Sequence, residues 1–201
     1  VKKKETEHYF AAKPTSKPRL RVIHAYLRGR YFEFLTASGV FSRNRIDLGT
    51  RLLIESMVLP DEGTILDLGC GYGPVGIVAA TIKPKLQVYM TDVNERAVWL
   101  AKKNVRKNQL KNVKVKRGFL YTPVENMKFD AILTNPPVSA GVKTVNQIIA
   151  GAPAHLKSGG TFQIVVRSKI AGKRFTSMLE ENFSNVQILA RKSGYRVFIV
   201  F

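Results

Sequence analysis

The sequence has a single cysteine, Cys70, so no disulfide can form within the chain and a cytoplasmic location is the simple expectation. Histidine is scarce too. His8, His24 and His155 have no metal-ligand spacing with one another or with Cys70, and no metal is expected. No apolar run approaches the ~18 residues needed to cross a bilayer, and no membrane association is expected. Val1-Lys2-Lys3-Lys4-Glu5 is charged and no apolar stretch follows it, which argues against a secretory leader. The largest shortage is of acid. Fourteen Asp and Glu stand against thirty-three Lys and Arg, a formal net charge of +19. Such an imbalance points to a polyanionic partner, nucleic acid above all. The excess is clustered: residues 1–60 carry twelve basic residues and five acids, and residues 101–120 carry eight and none. An anionic lipid surface fits less well, because the basic stretches lack the Trp/Phe/Leu pattern of interfacial helices.

What is present describes a folded α/β chain. The hydrophobic share is 45% over 201 residues, enough for one α/β domain with a core and a small addition. Residues 1–19 read as a basic arm with Pro14 and Pro18, in which His8-Tyr9-Phe10 could stack on bases or pin the arm to the domain. Residues 20–36 read as a β-hairpin turning at Arg28-Gly29 and decorated by Arg19, Arg21, Arg28 and Arg30. Asp47 is placed to cap a helix of about Leu48 to Met57. The division expected is a basic arm and hairpin over 1–46 and a main domain over 47–201. From Gly63 onward strands and helices alternate. Gly159-Gly160 is read as the turn into a strand over Thr161–Val166, and a final pair of strands is joined near Ser193-Gly194. The pattern predicts a doubly wound, mostly parallel, seven-stranded Rossmann-like sheet with helices on both faces and an antiparallel C-terminal hairpin.

Three stretches carry chemistry. Ile65-Leu66-Asp67-Leu68-Gly69-Cys70-Gly71-Tyr72-Gly73 reads as strand, glycine turn and helix start, a place for a nucleotide-like cofactor. Asp67 lies ahead of the first glycine. A carboxylate there repels a pyrophosphate and suits a cationic cofactor, which favours S-adenosylmethionine over a nicotinamide dinucleotide. Asp92 ends the next strand, where an acid can accept both ribose hydroxyls, while Asn94 is available to cap the following helix. Asn135-Pro136-Pro137-Val138 follows the fourth strand of the alternation, at the edge where such sheets bind ligands. Two prolines remove two donors and leave acceptors, the Asn135 amide oxygen and the Pro136 carbonyl. That pair can take both hydrogens of a planar –NH2 and stabilise the positive charge that grows on it during attack.

Together these residues resemble class I S-adenosylmethionine-dependent methyltransferases that act on exocyclic or amide nitrogens. More narrowly, they are similar to the methyltransferase small-domain family, which includes ribosomal RNA guanine-N2 methyltransferases. The likeness extends through His8-Tyr9-Phe10, Ser38-Gly39-Val40-Phe41-Ser42, Asp47-Leu48-Gly49-Thr50 and Gly194-Tyr195-Arg196. It implies a cofactor site of Asp67, Gly69, Cys70, Gly71, Gly73, Asp92, Val93, Gly118, Phe119 and Asn135. It implies a catalytic motif of Asn135, Pro136 and Pro137, with Arg19, Arg21, Arg28, Arg30, Phe41 and Val138 facing RNA. Three positions depart from the family pattern. Phe119 stands where an acid usually contacts adenine, Val138 stands where an aromatic residue stacks on the target base, and Ser139-Ala140-Gly141-Val142 replaces Arg-Ala-Gly-Lys. The function expected is N-methylation of a guanine N2 in structured ribosomal RNA. The alternatives are methylation of a protein glutamine amide and a non-catalytic ribosome-assembly factor. Monomer and homodimer are both open.

Overall fold

The computed structural model describes residues 17–136, 141–169 and 172–201. The arm with His8, Tyr9 and Phe10, and the pair Pro137 and Val138, lie outside the described residues. The chain opens with a hairpin of β1 (Leu20–Leu27) and β2 (Arg30–Ala37). Arg28 and Gly29 both take positive φ, the geometry of a two-residue turn that matches strand twist. Ile23, Ala25, Leu27, Phe32 and Phe34 face inward and are buried.

Helix α1 (Leu48–Ser56) is capped by Asp47, as its position predicts. Then come β3 (Gly63–Leu68), α2 (Pro74–Ile82), β4 (Leu86–Asp92), α3 (Glu95–Lys107), β5 (Val113–Arg117) and β6 (Phe129–Thr134). Helix α4 (Gly141–Gly151), β7 (Leu156–Arg167), α5 (Lys173–Asn182), β8 (Val186–Lys192) and β9 (Tyr195–Val200) complete the chain. Pro74 starts α2, where its missing N–H costs nothing. Asn94 caps α3 by accepting from the N–H groups of Arg96 and Ala97, while Arg106 and Lys107 sit at its negative end.

The main sheet runs β5-β4-β3-β6-β7-β9-β8. Its neighbours from β5 to β7 are parallel, and β9 pairs antiparallel with both β7 and β8. The strands feed two apolar layers by alternation. Ile65, Val88, Leu133 and Val165 join one core with α1, α2, α3 and the hairpin, and Leu66, Ile132, Phe162 and Ile164 join the other with α4 and α5. The β6–β7 connection corrects the expected boundary. Strand β7 starts at Leu156, and Gly159-Gly160 lies inside it rather than turning into it. Phe129 pairs with Leu156 but Ala131 pairs with Thr161, so the glycines form a bulge that lets β7 stay in register. Helix α4 stops at Gly151, and a short 3-10 turn, Pro153–His155, leads into β7.

Two buried amides tie peripheral segments to this frame. Gln163 on β7 donates to the Val58 carbonyl (2.7 Å) and accepts from its N–H (2.9 Å), fixing the chain after α1. Asn104 on α3 accepts from Leu35 N–H (2.7 Å) and donates to the carbonyls of Leu35 and Tyr72 (both 2.9 Å). It thereby joins the hairpin to the glycine turn. Asn104→Ala leaves three backbone groups without their partner, two of them on half-buried Leu35, and is expected to lower unfolding free energy by about 2 kcal/mol, measured by denaturant titration. A loss below about 1 kcal/mol would show that the amide is not a tie.

Candidate active site

The order of the sheet creates a crevice. From β3 the chain winds outward through β4 and β5, and then returns to the other side of β3 through β6 and β7. The loops after β3 and β6 therefore diverge at their carboxyl ends, the place where open α/β sheets bind ligands. A cavity of about 420 Å3 lies there, in the size range of cofactor sites.

One wall is the glycine turn. Gly69 and Cys70 N–H both donate to the Thr91 carbonyl, which carries β3 pairing past its last residue. Gly71 N–H then donates to Asp92 Oδ2 (2.8 Å), and Asn94 N–H donates to Asp92 Oδ1 (2.8 Å). Asp92 thus holds the turn against the start of α3, a structural duty that its place in the sequence did not reveal. Gly73 is not at the cavity wall: it precedes α2, and a Cβ there would come within 2.5 Å of Met90 Cε. Met90 Cε is the end of a flexible side chain, so what calls for glycine is the φ of +98° with which the chain enters α2.

Asp67 is buried at the floor and accepts from Gly76 N–H (2.8 Å). Burial, with the Asp92 carboxylate nearby, pushes its carboxyl up to about 7; burial raises Asp92 as well. The same burial, beside both carboxylates, raises the Cys70 thiol well above its ordinary range, so it is an inert wall group and not a nucleophile. A chain of net charge +19 thus places two carboxylates, buried Asp67 and half-buried Asp92, at one cavity. A cationic occupant relieves their desolvation, and a pyrophosphate would aggravate it. Val93, Gly118, Phe119 and Leu120 line the cavity too, with Phe119 half exposed. That end offers an aromatic face in place of an acid.

The opposite wall holds Asn135, and here the structure adds residues that the motif search did not assign to the site. The Asp47 carboxylate accepts from Gly49 N–H (2.9 Å) and Thr50 N–H (3.3 Å), and Oδ2 also receives the Thr50 hydroxyl. The Asn135 amide nitrogen donates to Thr50 Oγ1 (2.8 Å) and Asp47 Oδ2 (3.3 Å). The logic is one-way. An ionised Asp47 only accepts, and Thr50 has spent its proton on Asp47, so both demand a donor from Asn135. The amide nitrogen must face them, and its oxygen is left for the cavity that Asn135 lines. Gly49 makes the knot fit, since a Cβ there would lie 2.8 Å from the Tyr195 ring.

Of the other expected residues, Phe41 lines the mouth and is exposed, and Pro136 is buried. The four hairpin arginines are not brought together. Arg19 N–H meets Ser38 Oγ and the Arg21 guanidinium meets Asn44, so both lie by the loop that carries Phe41. The Arg28 guanidinium donates to the Glu55 carbonyl (2.9 Å), at the other end of α1 from Asp47.

Comparison with known proteins agrees with this geometry. The family described as "Methyltransferase small domain" matches residues 31–199. The chain belongs to the methyltransferase small-domain family. A Bacillus subtilis (strain 168) protein, YbxB, is 41% identical over 194 residues, covering 96% of both chains. "Ribosomal RNA small subunit methyltransferase C" of Haemophilus influenzae is 34% identical over 166 residues, covering 81% of this chain and 49% of that protein. A Thermus thermophilus structure, "16S rRNA N2 G1207 methyltransferase" with AdoMet and guanosine, superposes with TM-score 0.81 at 27% identity, covering 93% of this chain and 51% of that one. The chain spans about half the length of these ribosomal RNA methyltransferases. As a member of this family it is an S-adenosylmethionine-dependent methyltransferase, and the two carboxylates suit that sulfonium cofactor.

Two outcomes are expected. Binding of a cation favours ionised Asp67, so cofactor affinity should rise with pH up to about 7 and level off above it. Calorimetry from pH 5.5 to 8.5 should show this, and Asp67→Asn should abolish the acid-side decline. Asp47→Ala should cut kcat for methyl transfer about tenfold without changing cofactor affinity, and remove about 1 kcal/mol of cap stability. Asp47→Ser should restore the cap but not kcat.

Proposed function

We propose that the chain transfers a methyl group to the N2 amine of a guanine in ribosomal RNA. The observation that carries this reading is the orientation of Asn135: its amide oxygen is turned to the cavity by donors it must supply to Asp47 and Thr50. An acceptor held in that way, beside the Pro136 carbonyl, suits a planar –NH2 group. The two acceptors aim the nitrogen lone pair across the cavity, toward the glycine turn. As the new N–C bond forms, positive charge grows on nitrogen, and two fixed carbonyl dipoles stabilise it without rearranging. The amine loses its proton after attack, when it is acidic, so no strong base is required. S-adenosylmethionine supplies the electrophilic methyl on its sulfonium sulfur. Asp67 and the N–H groups of the glycine turn would hold the methionine end, Asp92 the ribose, and Val93, Gly118 and Phe119 the adenine.

A paired base would have to leave its stack to reach Asn135. Phe41, exposed at the mouth, offers a ring for the displaced base, the role that Val138 cannot fill. Arg19 and Arg21 beside that loop would meet the neighbouring backbone. The same acceptors would serve a glutamine amide, but a net charge of +19 favours RNA. The similarity to a methyltransferase described as acting on G1207 N2 supports guanine as the base.

Methyl-labelled cofactor should be incubated with small ribosomal subunits from cells lacking the chain, and the RNA digested to nucleosides. Label is expected in N2-methylguanosine. Another methylated nucleoside would overturn the guanine assignment, and label in protein would overturn the RNA assignment. Asn135→Ala should reduce kcat by roughly 100-fold or more with cofactor affinity within twofold.

A further inference from the structure

The crevice divides the sheet into two unequal environments. Strands β3, β4 and β5 lie on the side of the glycine turn, with Asp67 and Asp92 at their carboxyl ends. Strands β7, β9 and β8 lie on the far side of β6 from that turn. Strand β7 runs parallel to β6, with Thr134 opposite Ile164, so its end at Arg167 points the same way as Asn135. Strand β9 begins at Tyr195 opposite Arg167, and β8 ends at Lys192 opposite Tyr195. The β8–β9 turn therefore stands beside the end of β7, at the same edge of the sheet as Asn135.

This edge is basic. Arg167 and Lys169 follow the end of β7, and Arg191 and Lys192 lead into the β8–β9 turn; all four are exposed. The chain contains no acid from residue 131 to 179 and none from 182 to 201. Asp47, which meets this edge through the contact of Gly49 with Tyr195, has its oxygens engaged by the start of α1. Arg167 is also held in place. Its guanidinium lies 5.7 Å from the centre of the Tyr195 ring, and Nε donates to the Tyr195 hydroxyl (3.2 Å). The same ring packs on Gly49, next to the knot that turns Asn135. A cation is thus propped on the ring that buttresses the acceptor.

We propose that this edge, Arg167, Lys169, Arg191 and Lys192, is the surface that grips the RNA backbone next to the methylated base. The inference rests on the RNA reading given above. Strands are spaced about 4.8 Å apart, so these cations fan out over roughly 5–15 Å sideways from the strand that carries Asn135. A base placed at Asn135 has its own and the following phosphates within that reach. The basic stretch over 102–117 runs through α3 and edge strand β5, on the cofactor side of the crevice. Arg28 is bound to the end of α1. Arg19 and Arg21 lie by the Phe41 loop, and the β7–β9–β8 edge adds a second basic surface, on the Asn135 side of the crevice. Phosphate contacts of this kind fix register and carry most of the salt dependence of binding.

The test compares charge reversals at two edges of one sheet. Arg167→Glu and the pair Arg191→Glu with Lys192→Glu are set against Lys85→Glu with Lys128→Glu, exposed positions before β4 and β6 at the opposite edge. The probes are a labelled stem–loop oligoribonucleotide and purified small ribosomal subunits, titrated at several salt concentrations. The rim variants are expected to bind about tenfold or more weakly, with a salt slope lower by about one per lost phosphate contact. The control pair should stay within about threefold of wild type, and calorimetric affinity for S-adenosylhomocysteine should be unchanged throughout. Arg167→Lys should retain most of the binding, which separates loss of charge from loss of fold. Rim variants that bind like wild type, or a control pair that loses as much, would overturn this surface while leaving the RNA reading intact. A wild-type protein that binds neither probe, or that binds polyglutamate equally well, would overturn both.

Discussion

The site depends on one carboxylate that can only accept. Asp47 begins as a local feature, the cap that lets α1 start. Once it accepts from Gly49, Thr50 and the Thr50 hydroxyl, its remaining capacity can be satisfied only by a donor. Asn135 arrives from β6, 88 residues later, and supplies it. The polarity of a helix start is thereby written onto the amide that faces the cavity. An Asn side chain alone is ambiguous, because its two ends are nearly the same shape. The carboxylate resolves the ambiguity, and the chemistry proposed for the site follows from which end is left over. The motif that marks methyltransferases of this kind names Asn135 but says nothing of its direction.

Charge is partitioned around this point with the same economy. The chain is strongly basic, yet Asp67 and Asp92 sit together at the cavity, Asp92 holding Gly71 N–H of the glycine turn and Asp67 holding Gly76 N–H at the start of α2. The cofactor carries a sulfonium and an ammonium, and the substrate proposed for the site carries phosphates. They make opposite electrostatic demands. The sheet topology separates those demands, with carboxylates on the β3–β4 side of β6 and cations beyond it. In the proposed reaction only a neutral amine stands at the boundary, which Asn135 occupies.

Much of this was legible in the sequence. The alternation of strands and helices, the caps at Asp47 and Asn94, the Arg28-Gly29 turn and the glycine loop all appear where local chemistry places them. Such features are set by near neighbours and short periods. What local chemistry does not show has a common cause, contact between residues distant in the chain. Gly159-Gly160 looks like a turn locally, but pairing with β6 makes it a bulge. Gly73 looks like part of a ligand cradle, but it does not line the cavity, and its φ of +98° serves the entry into α2. Arg28 looks like one of four equivalent arginines until Glu55 claims it. The local pattern shows Asp47 as a cap, while its second duty lies across 88 residues. One long-range signal was available: Asp47-Leu48-Gly49-Thr50 and Gly194-Tyr195-Arg196 both belong to the resemblance, and the structure packs Gly49 against Tyr195.

That last contact has a bearing on how the molecule comes to be active. Strand β9 fits between β7 and β8, so the sheet closes only when residues 195–200 slot into a gap flanked by earlier strands. Tyr195 enters with that strand. Until then Gly49 has no ring behind it. The cofactor wall needs nothing beyond β6 and the helices before it, whereas the acceptor wall waits for β9. The support that Tyr195 gives to the start of α1 therefore depends on the docking of a strand almost 150 residues further along the chain.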